Sequence, residues 1–109
     1  QLTMDFKTEI AYRFVDFVRV KGRQEPLEVY EILNHLPKDI QLSRYKTGSM
    51  IQQGVEYRKN KDWKSAMKYF HGALMIDPED SLVIHHMEQC NRMRIADLAG
   101  SSDGALLMI

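Results

Sequence analysis

This sequence has a single cysteine, no excess of either charge and no long hydrophobic run. The lone thiol of Cys90 excludes an internal disulfide framework and a zinc site built from several cysteines. The 15 basic and 15 acidic side chains cancel, which argues against a general binder of nucleic acid or of anionic membranes. No apolar run approaches the ~20 residues that span a bilayer, and no secretory signal is visible. These absences predict a cytoplasmic segment, including the case of a parent protein anchored in a membrane.

The length of 109 residues allows one ordinary domain or two small pieces, with a core near the lower limit of independent stability. The chain starts at Gln1 and not at Met, so we expect a segment cut from a longer protein. Some of its 44% hydrophobic residues are therefore expected to pack against neighbours outside the segment.

Residues 1–34 have the composition of two β-strands. The run AYRFVDFVRV is rich in aromatic and β-branched side chains, and the run LEVYEIL alternates between two faces. Between them, Gly22 permits unusual backbone angles and Pro26 opens the second strand. We therefore predict an antiparallel hairpin. Because a lone hairpin is marginal in water, it needs a partner from residues 35–109, from another copy or from outside the segment.

After Pro37 the apolar residues recur with a helical period. A first helix is predicted from about Ile40 to Lys59, with residues 35–46 as a linker and the start of that helix. Asp62 is a candidate N-cap for a second helix. The apolar residues of that helix form one wide stripe: Trp63, Ala66, Met67, Phe70, Ala73 and Leu74.

A proline and a glycine delimit a third helix. Pro78 disfavours helix at the residue before it and so ends the second helix. Asp80 or Ser81 is the candidate N-cap of the third helix, which stops before Gly100. Residues 99–109 lack a period and are expected to form a flexible tail. The apolar side chains of the third helix are Val83, Ile84, Met87, Cys90 and Ile95.

Small and aromatic residues stand at characteristic positions of the first two helices, and a proline follows in the turn after them: Gly54, Tyr57, Ala66, Phe70, Ala73 and Pro78. Counted as residues 47–80, the unit has 34 residues and resembles a tetratricopeptide repeat. Met50 and Gln53 depart from the pattern, which usually has Trp and Leu there. The resemblance implies that the small residues let the two helices approach and that the aromatic ones fill the space between them.

The unit is present once, and a single repeat cannot bury its own face. The third helix is therefore predicted to cap it, with repeat and cap within residues 47–98. Peptide-binding arrays need several units to form a groove, so a packing or adaptor role is favoured. The predicted fold class is α+β: an antiparallel β-hairpin followed by a tetratricopeptide-like helical hairpin and a capping helix.

The hairpin sequence YRFVDFVRVKGRQEPLEVYEIL, residues 12–33, carries a second resemblance. It has an aromatic-Arg start and an Asp, and its Val-Lys-Gly, Glu-Pro and Val-Tyr-Glu elements are the most specific. In these features it resembles the C-terminal hairpin of class III adenylate and guanylate cyclase domains. Bacterial cyclases of this class often continue into a tail similar to residues 57–90 of this chain. The resemblance therefore covers about residues 10–92.

The resemblance implies a parent enzyme that converts ATP or GTP into cAMP or cGMP and pyrophosphate. Such enzymes use Mg²⁺ or Mn²⁺ held by two aspartates, and their active sites form at the interface of a catalytic dimer. Lys21 matches a family position that contacts the nucleotide polyphosphate, where a compact cation neutralises charge on the leaving group. Without the resemblance, Lys21 and Arg23 would both be interpreted as solvated basic residues of a loop. With it, only Lys21 is predicted to contact the polyphosphate, and Arg23 is still interpreted as structural or solvated.

The metal-binding aspartates and the Asn-x-x-x-Arg pair of that family are absent from this segment. We therefore expect the segment alone to be catalytically incomplete, without a catalytic residue or metal ligand of its own. The expected partners are the remainder of the catalytic domain, a second copy in a homodimer and a protein bound by the helical repeat, with no nucleic acid and no direct membrane contact. The alternative is a stand-alone tetratricopeptide interaction module with no enzymatic role.

The remaining candidate groups are interpreted as structural. His85 and His86 project about 100° apart on a helix, which is poor geometry for one metal, so ordinary surface or interface histidines are expected. Cys90 is predicted to be a buried, inert thiol. A basic stretch near the turn between the first two helices is predicted to be a solvated face: Arg58, Lys59, Lys61, Lys64 and Lys68.

Overall fold

The computed structural model of this chain describes residues 4–5 and 10–99. The elements are β1 (Met4–Asp5), β2 (Ile10–Val18), β3 (Leu27–Ile32), α1 (Lys38–Lys59), α2 (Trp63–Ile76) and α3 (Ser81–Leu98). The predicted α+β class, a hairpin followed by three helices, is confirmed. Of the predicted flexible tail, all but Ala99 lies outside the described residues.

The hairpin contains a bulge that the sequence pattern did not predict. Strands β2 and β3 pair antiparallel, and β1 pairs antiparallel with the start of β2. Phe14 lies opposite Tyr30 while Asp16 lies opposite Val29, so Val15 is an extra residue in β2. A β-bulge of this kind leaves one residue outside the ladder and bends the strand.

The helix boundaries lie close to the predicted ones. α1 begins at Lys38, close to the predicted start at about Ile40, so the linker before the helix is short. The Asp62 carboxylate accepts a hydrogen bond from the Ser65 amide at 3.2 Å and caps α2. The Asp80 carboxylate caps α3 by accepting from an amide of its first turn. None of the helices within the described residues combines the length and apolar character needed to cross a bilayer.

One hydrophobic core joins the hairpin to the helices. α1 lies between α2 and the hairpin, and α3 packs mainly on α2. A side chain at Gly54 of α1 would collide with the Phe70 ring of α2, so glycine allows these two helices to approach. The hairpin thereby finds its packing partner within residues 35–109. The fully buried core comprises Phe14, Ile51, Val55, Ala66, Phe70, Ala73, Val83 and Cys90.

Only some of the apolar side chains of α3 face the core. Ile95 is 58% exposed and Ile84 is 40% exposed. The buried positions of α3 are Val83, His86 and Cys90, which follow one another at helical spacing. A polar residue, His86, therefore occupies the centre of the buried face of α3.

Candidate functional site

The predicted polyphosphate contact lies at the tip of the hairpin. The Arg23 amide donates to the Val20 carbonyl at 3.1 Å, and Gly22 has a φ angle of 89°. Residues 20–23 therefore form a four-residue turn with a positive φ at its third position, which is type II geometry and favours glycine there. Lys21 occupies the second position and is exposed, so its ammonium group is free to meet an anion. We call residues 20–23 the Lys21 turn.

The helices reach the hairpin near this turn. Lys59, at the end of α1, holds its Nζ atom 4.3 Å from the centroid of the Phe17 ring. Such a cation–π contact at an exposed site contributes little stability, about 0.5–1 kcal/mol. It nevertheless brings the end of α1 beside the part of β2 that leads into the turn.

The bulge of β2 is held by one residue from α1 and one from α3. The His86 Nε2 atom lies 2.7 Å from the Val15 carbonyl oxygen, and Arg58 Nη1 lies 3.0 Å from His86 Nδ1. Arg58 Nη2 also donates to Asp16 Oδ1 at 3.2 Å. We call these four residues the bulge cluster. The prediction that Arg58 lies on a solvated face is wrong, because its side chain is only 3% exposed.

The hydrogen bonds of the bulge cluster define the protonation state of His86. A carbonyl can only accept, so His86 carries its hydrogen on Nε2 and accepts from Arg58 through Nδ1. Burial and then the Arg58 charge lower the pKa of His86 to about 4. Burial also lowers the pKa of Arg58, against the opposing charge of Asp16. The ring of His86 stacks on Phe70, with centroids 5.5 Å apart. The cluster thus joins β2 to all three helices.

A second group of polar residues anchors β2 on the other side of the bulge. Arg13 donates to both carboxylate oxygens of Asp80, at 2.6 Å and 3.1 Å. It also donates to Thr47 Oγ1 at 3.0 Å and to Glu31 Oε1 at 2.8 Å. Arg13 is 2% exposed and Asp80 is 1% exposed. We call Arg13, Glu31, Thr47 and Asp80 the Arg13 cluster.

The charges of the Arg13 cluster compensate each other. Burial alone would raise the pKa of Asp80, but the hydrogen bond and charge of Arg13 outweigh it and the pKa is lowered. Burial would likewise lower the pKa of Arg13, yet its carboxylate partners raise it. Both groups therefore stay ionised inside the protein. The sequence analysis did not predict this cluster, and the only signal available was a charged residue, Arg13, between the apolar residues of a predicted strand.

The residues predicted to pack the helical repeat lie along α1, α2 and the turn after α2. Ala66, Phe70 and Ala73 are fully buried. Tyr57 is 37% exposed and stacks on Tyr69, with centroids 5.5 Å apart. Pro78 is exposed in the connection between α2 and α3.

Two further predicted features can be located. Cys90 is buried, as predicted, and burial raises the pKa of its thiol, which keeps it protonated. His85 is exposed while its neighbour His86 is fully buried, so the two do not share a surface. Within residues 4–5 and 10–99, no group of three or more histidine, cysteine or acidic side chains could hold a metal ion.

Comparison with known proteins finds similarity to a nucleotide cyclase. A stretch of 82 residues, 75% of this chain, is 28% identical to part of the terminal-differentiation specific adenylate cyclase of Dictyostelium discoideum. The chain spans only 4% of the length of that curated relative. No family model and no solved structure matches the chain. The comparison thus supports a cyclase-related region in this chain, which is similar to a short part of an adenylate cyclase.

Proposed function

We propose that this segment is the C-terminal part of a class III nucleotide cyclase, in which the β2–β3 hairpin completes the catalytic domain and the helices pack on that hairpin. The similarity to an adenylate cyclase carries the proposal. The similar stretch has 82 residues, which is more than the number of residues from the start of α1 at Lys38 to Ile109. It therefore includes part of the hairpin as well as helices, and both belong to the proposed cyclase region.

Lys21 supplies the chemistry of this segment in the proposed enzyme. Cyclisation of a nucleoside triphosphate releases pyrophosphate, and negative charge develops on the leaving group. An exposed ammonium group at a turn tip can approach that charge and stabilise it more strongly as the bond breaks. The type II turn holds the lysine backbone, while the four-carbon side chain adjusts to the substrate.

The remaining groups of the proposed active site come from outside this segment. In the proposed enzyme, Mg²⁺ or Mn²⁺ would be held by the two aspartates that the family resemblance places outside this segment. The segment by itself is therefore proposed to be inactive. Its tetratricopeptide-like helical unit acts in packing, dimerisation or regulation of the catalytic domain, and the two buried polar clusters between β2 and the helices support this role.

The proposal is tested on the full-length protein that contains this segment. Formation of cAMP from ATP and of cGMP from GTP is measured for the wild type and for Lys21→Ala. We expect kcat/KM to fall by ~10²-fold, as for the loss of one group that stabilises transition-state charge. Lys68→Ala is the matched control, because Lys68 is an exposed lysine on α2, and it should leave the rate unchanged. Absence of any cyclic nucleotide product from the wild type would overturn the proposal.

A further inference from the structure

The bulge of β2 lies a few residues before the Lys21 turn. Val15 is the extra residue of the bulge and Asp16 follows it, and the turn begins at Val20. Between them, Phe17 and Val18 are half-buried and Arg19 is exposed, so the strand becomes exposed towards the tip. A bulge bends a strand and increases its local twist. The direction in which the hairpin tip points therefore depends on the backbone geometry of Val15 and Asp16.

The bulge geometry is in turn held from the helices. Because Val15 is the extra residue in β2, its carbonyl lies where the ladder is disrupted, and His86 of α3 donates to it at 2.7 Å. Arg58 of α1 joins His86 to Asp16 through the two nitrogens of its planar guanidinium fork. Asp16 also accepts from the Phe17 amide at 2.8 Å, which restricts the backbone on the turn side of the bulge. The helices thus contact the bulge through hydrogen bonds of fixed direction.

We propose that Arg58 and His86 are positioning residues for the Lys21 turn, and that they act on it through the bulge of β2. The inference rests on the proposed function, in which Lys21 meets the nucleotide polyphosphate. The helical unit then regulates that contact, since a change in the packing of α3 against α1 alters the bonds that hold Val15 and Asp16. The Arg13 cluster anchors β2 before the bulge, on the side away from the Lys21 turn.

Amide hydrogen exchange in the 109-residue chain tests the coupling directly. The readout is the exchange rate of the Arg23 amide, whose hydrogen bond to Val20 closes the turn. Arg58→Lys keeps the charge but cannot reproduce the two-nitrogen fork, and we expect exchange at Arg23 to become ~10-fold faster. Ala73→Gly is the matched control, because it destabilises the α1–α2 core without touching the bulge. Turn amides exchange through local opening, so the control should leave the Arg23 rate unchanged despite its lower melting temperature.

A pair of substitutions at one position separates hydrogen bonding from packing. His86→Phe keeps an aromatic ring against Phe70 but cannot donate to the Val15 carbonyl, so the Arg23 amide should exchange faster. His86→Gln loses the ring but keeps an N–H donor, so exchange should stay closer to the wild-type rate. The opposite order, or Arg23 rates that follow melting temperature in every variant, would overturn the inference.

Kinetics of the full-length protein distinguish this inference from the proposed function. Arg58→Lys should lower kcat ~10-fold with a smaller effect on KM, because a misplaced lysine stabilises the leaving-group charge less in the transition state. If the wild type forms no cyclic nucleotide, the proposed function is wrong; if it does but Lys21→Ala leaves its rate unchanged, the role of Lys21 is wrong and the positioning inference falls with it. If Lys21→Ala is impaired but Arg58→Lys changes neither kcat nor the Arg23 exchange rate, the positioning role is wrong and the proposed function stands.

Discussion

The two buried arginines of this chain have similar exposure but opposite electrostatic surroundings. Arg13 is 2% exposed and faces Asp80, a carboxylate that is 1% exposed. Arg58 is 3% exposed and faces a neutral imidazole and Asp16, a carboxylate that is 24% exposed. Accordingly the pKa of Arg13 is raised and that of Arg58 is lowered, although burial acts in the same direction on both. The comparison shows that the partners of a buried charge, together with its depth, decide whether the charge is compensated.

The largest expected loss of stability follows from breaking the buried ion pair between Arg13 and Asp80. Arg13→Met leaves the Asp80 carboxylate buried without its cation, and we expect the free energy of unfolding to fall by ~3–5 kcal/mol. Arg44→Met is the matched control, because Arg44 is 25% exposed and its ion pairs are 3.7–4.0 Å long. It should cost at most ~1 kcal/mol. Urea unfolding at pH 7 measures both variants, and equal losses would contradict the distinction between buried and half-exposed pairs.

The second effect is a pH dependence that comes from the bulge cluster. The pKa of His86 is about 4 in the folded protein and 6.5 in the unfolded chain. As pH falls below 6.5, His86 is protonated in the unfolded chain before it is protonated in the folded protein. The free energy of unfolding therefore declines until about pH 4, and below that pH His86 causes no further decline. The loss should reach ~3 kcal/mol.

Urea unfolding of the wild type and of His86→Gln at pH 7, 5.5 and 4.5 checks this origin. The glutamine does not titrate, so the contribution of position 86 should disappear from the profile of the variant. Parallel profiles would show that His86 does not cause the decline. The Arg13 cluster titrates separately, because the pKa of Asp80 is lowered from 3.8 and its stabilising effect is lost only at more acidic pH.

The smallest effect is at the half-exposed carboxylate of the bulge cluster. Asp16→Asn removes the charge opposite Arg58 but keeps an oxygen that can accept from Arg58 and from the Phe17 amide. We expect a loss of ~1 kcal/mol in urea unfolding at pH 7, because solvent already screens this carboxylate. Glu56→Gln is the control, since Glu56 is exposed and pairs with Lys59 at 3.8 Å, and it should have no measurable effect. A loss as large as that of Arg13→Met would remove the contrast between the two arginines.

The helices and the hairpin could be predicted because their signals are local. Asp62 and Asp80 cap α2 and α3 where the sequence placed candidate caps, and Gly22 occupies the turn position that requires positive φ. The bulge could not be predicted, since the run from Ala11 to Val20 is rich in strand-forming residues and contains no glycine or proline that would mark an extra residue. Its extra residue is recognisable only when β2 is paired with β3.

The polar clusters were not predicted because their members are distant in the chain. Arg13 and Asp80 are 67 positions apart, and His86 and Val15 are 71 apart. Hydrophobic periodicity does not report pairings of this kind, and a charged residue in an amphipathic element is assigned to the solvent side by default. Arg58 illustrates the error, because its neighbours in the sequence form a basic stretch while it alone faces the interior of the fold.

By itself, the sequence determined the α+β class, the order of the hairpin and the three helices, the helix caps, the glycine at the Lys21 turn and the small residues between α1 and α2. Each of these depends on backbone preferences or on spacings within one or two elements. Only the tertiary structure decided that β2 is anchored to the helices by buried charges on both sides of a bulge. The physical reason is that a buried charge requires a partner, and the packing of β2 on α1 and α3 brings such partners together from residues far apart in the chain.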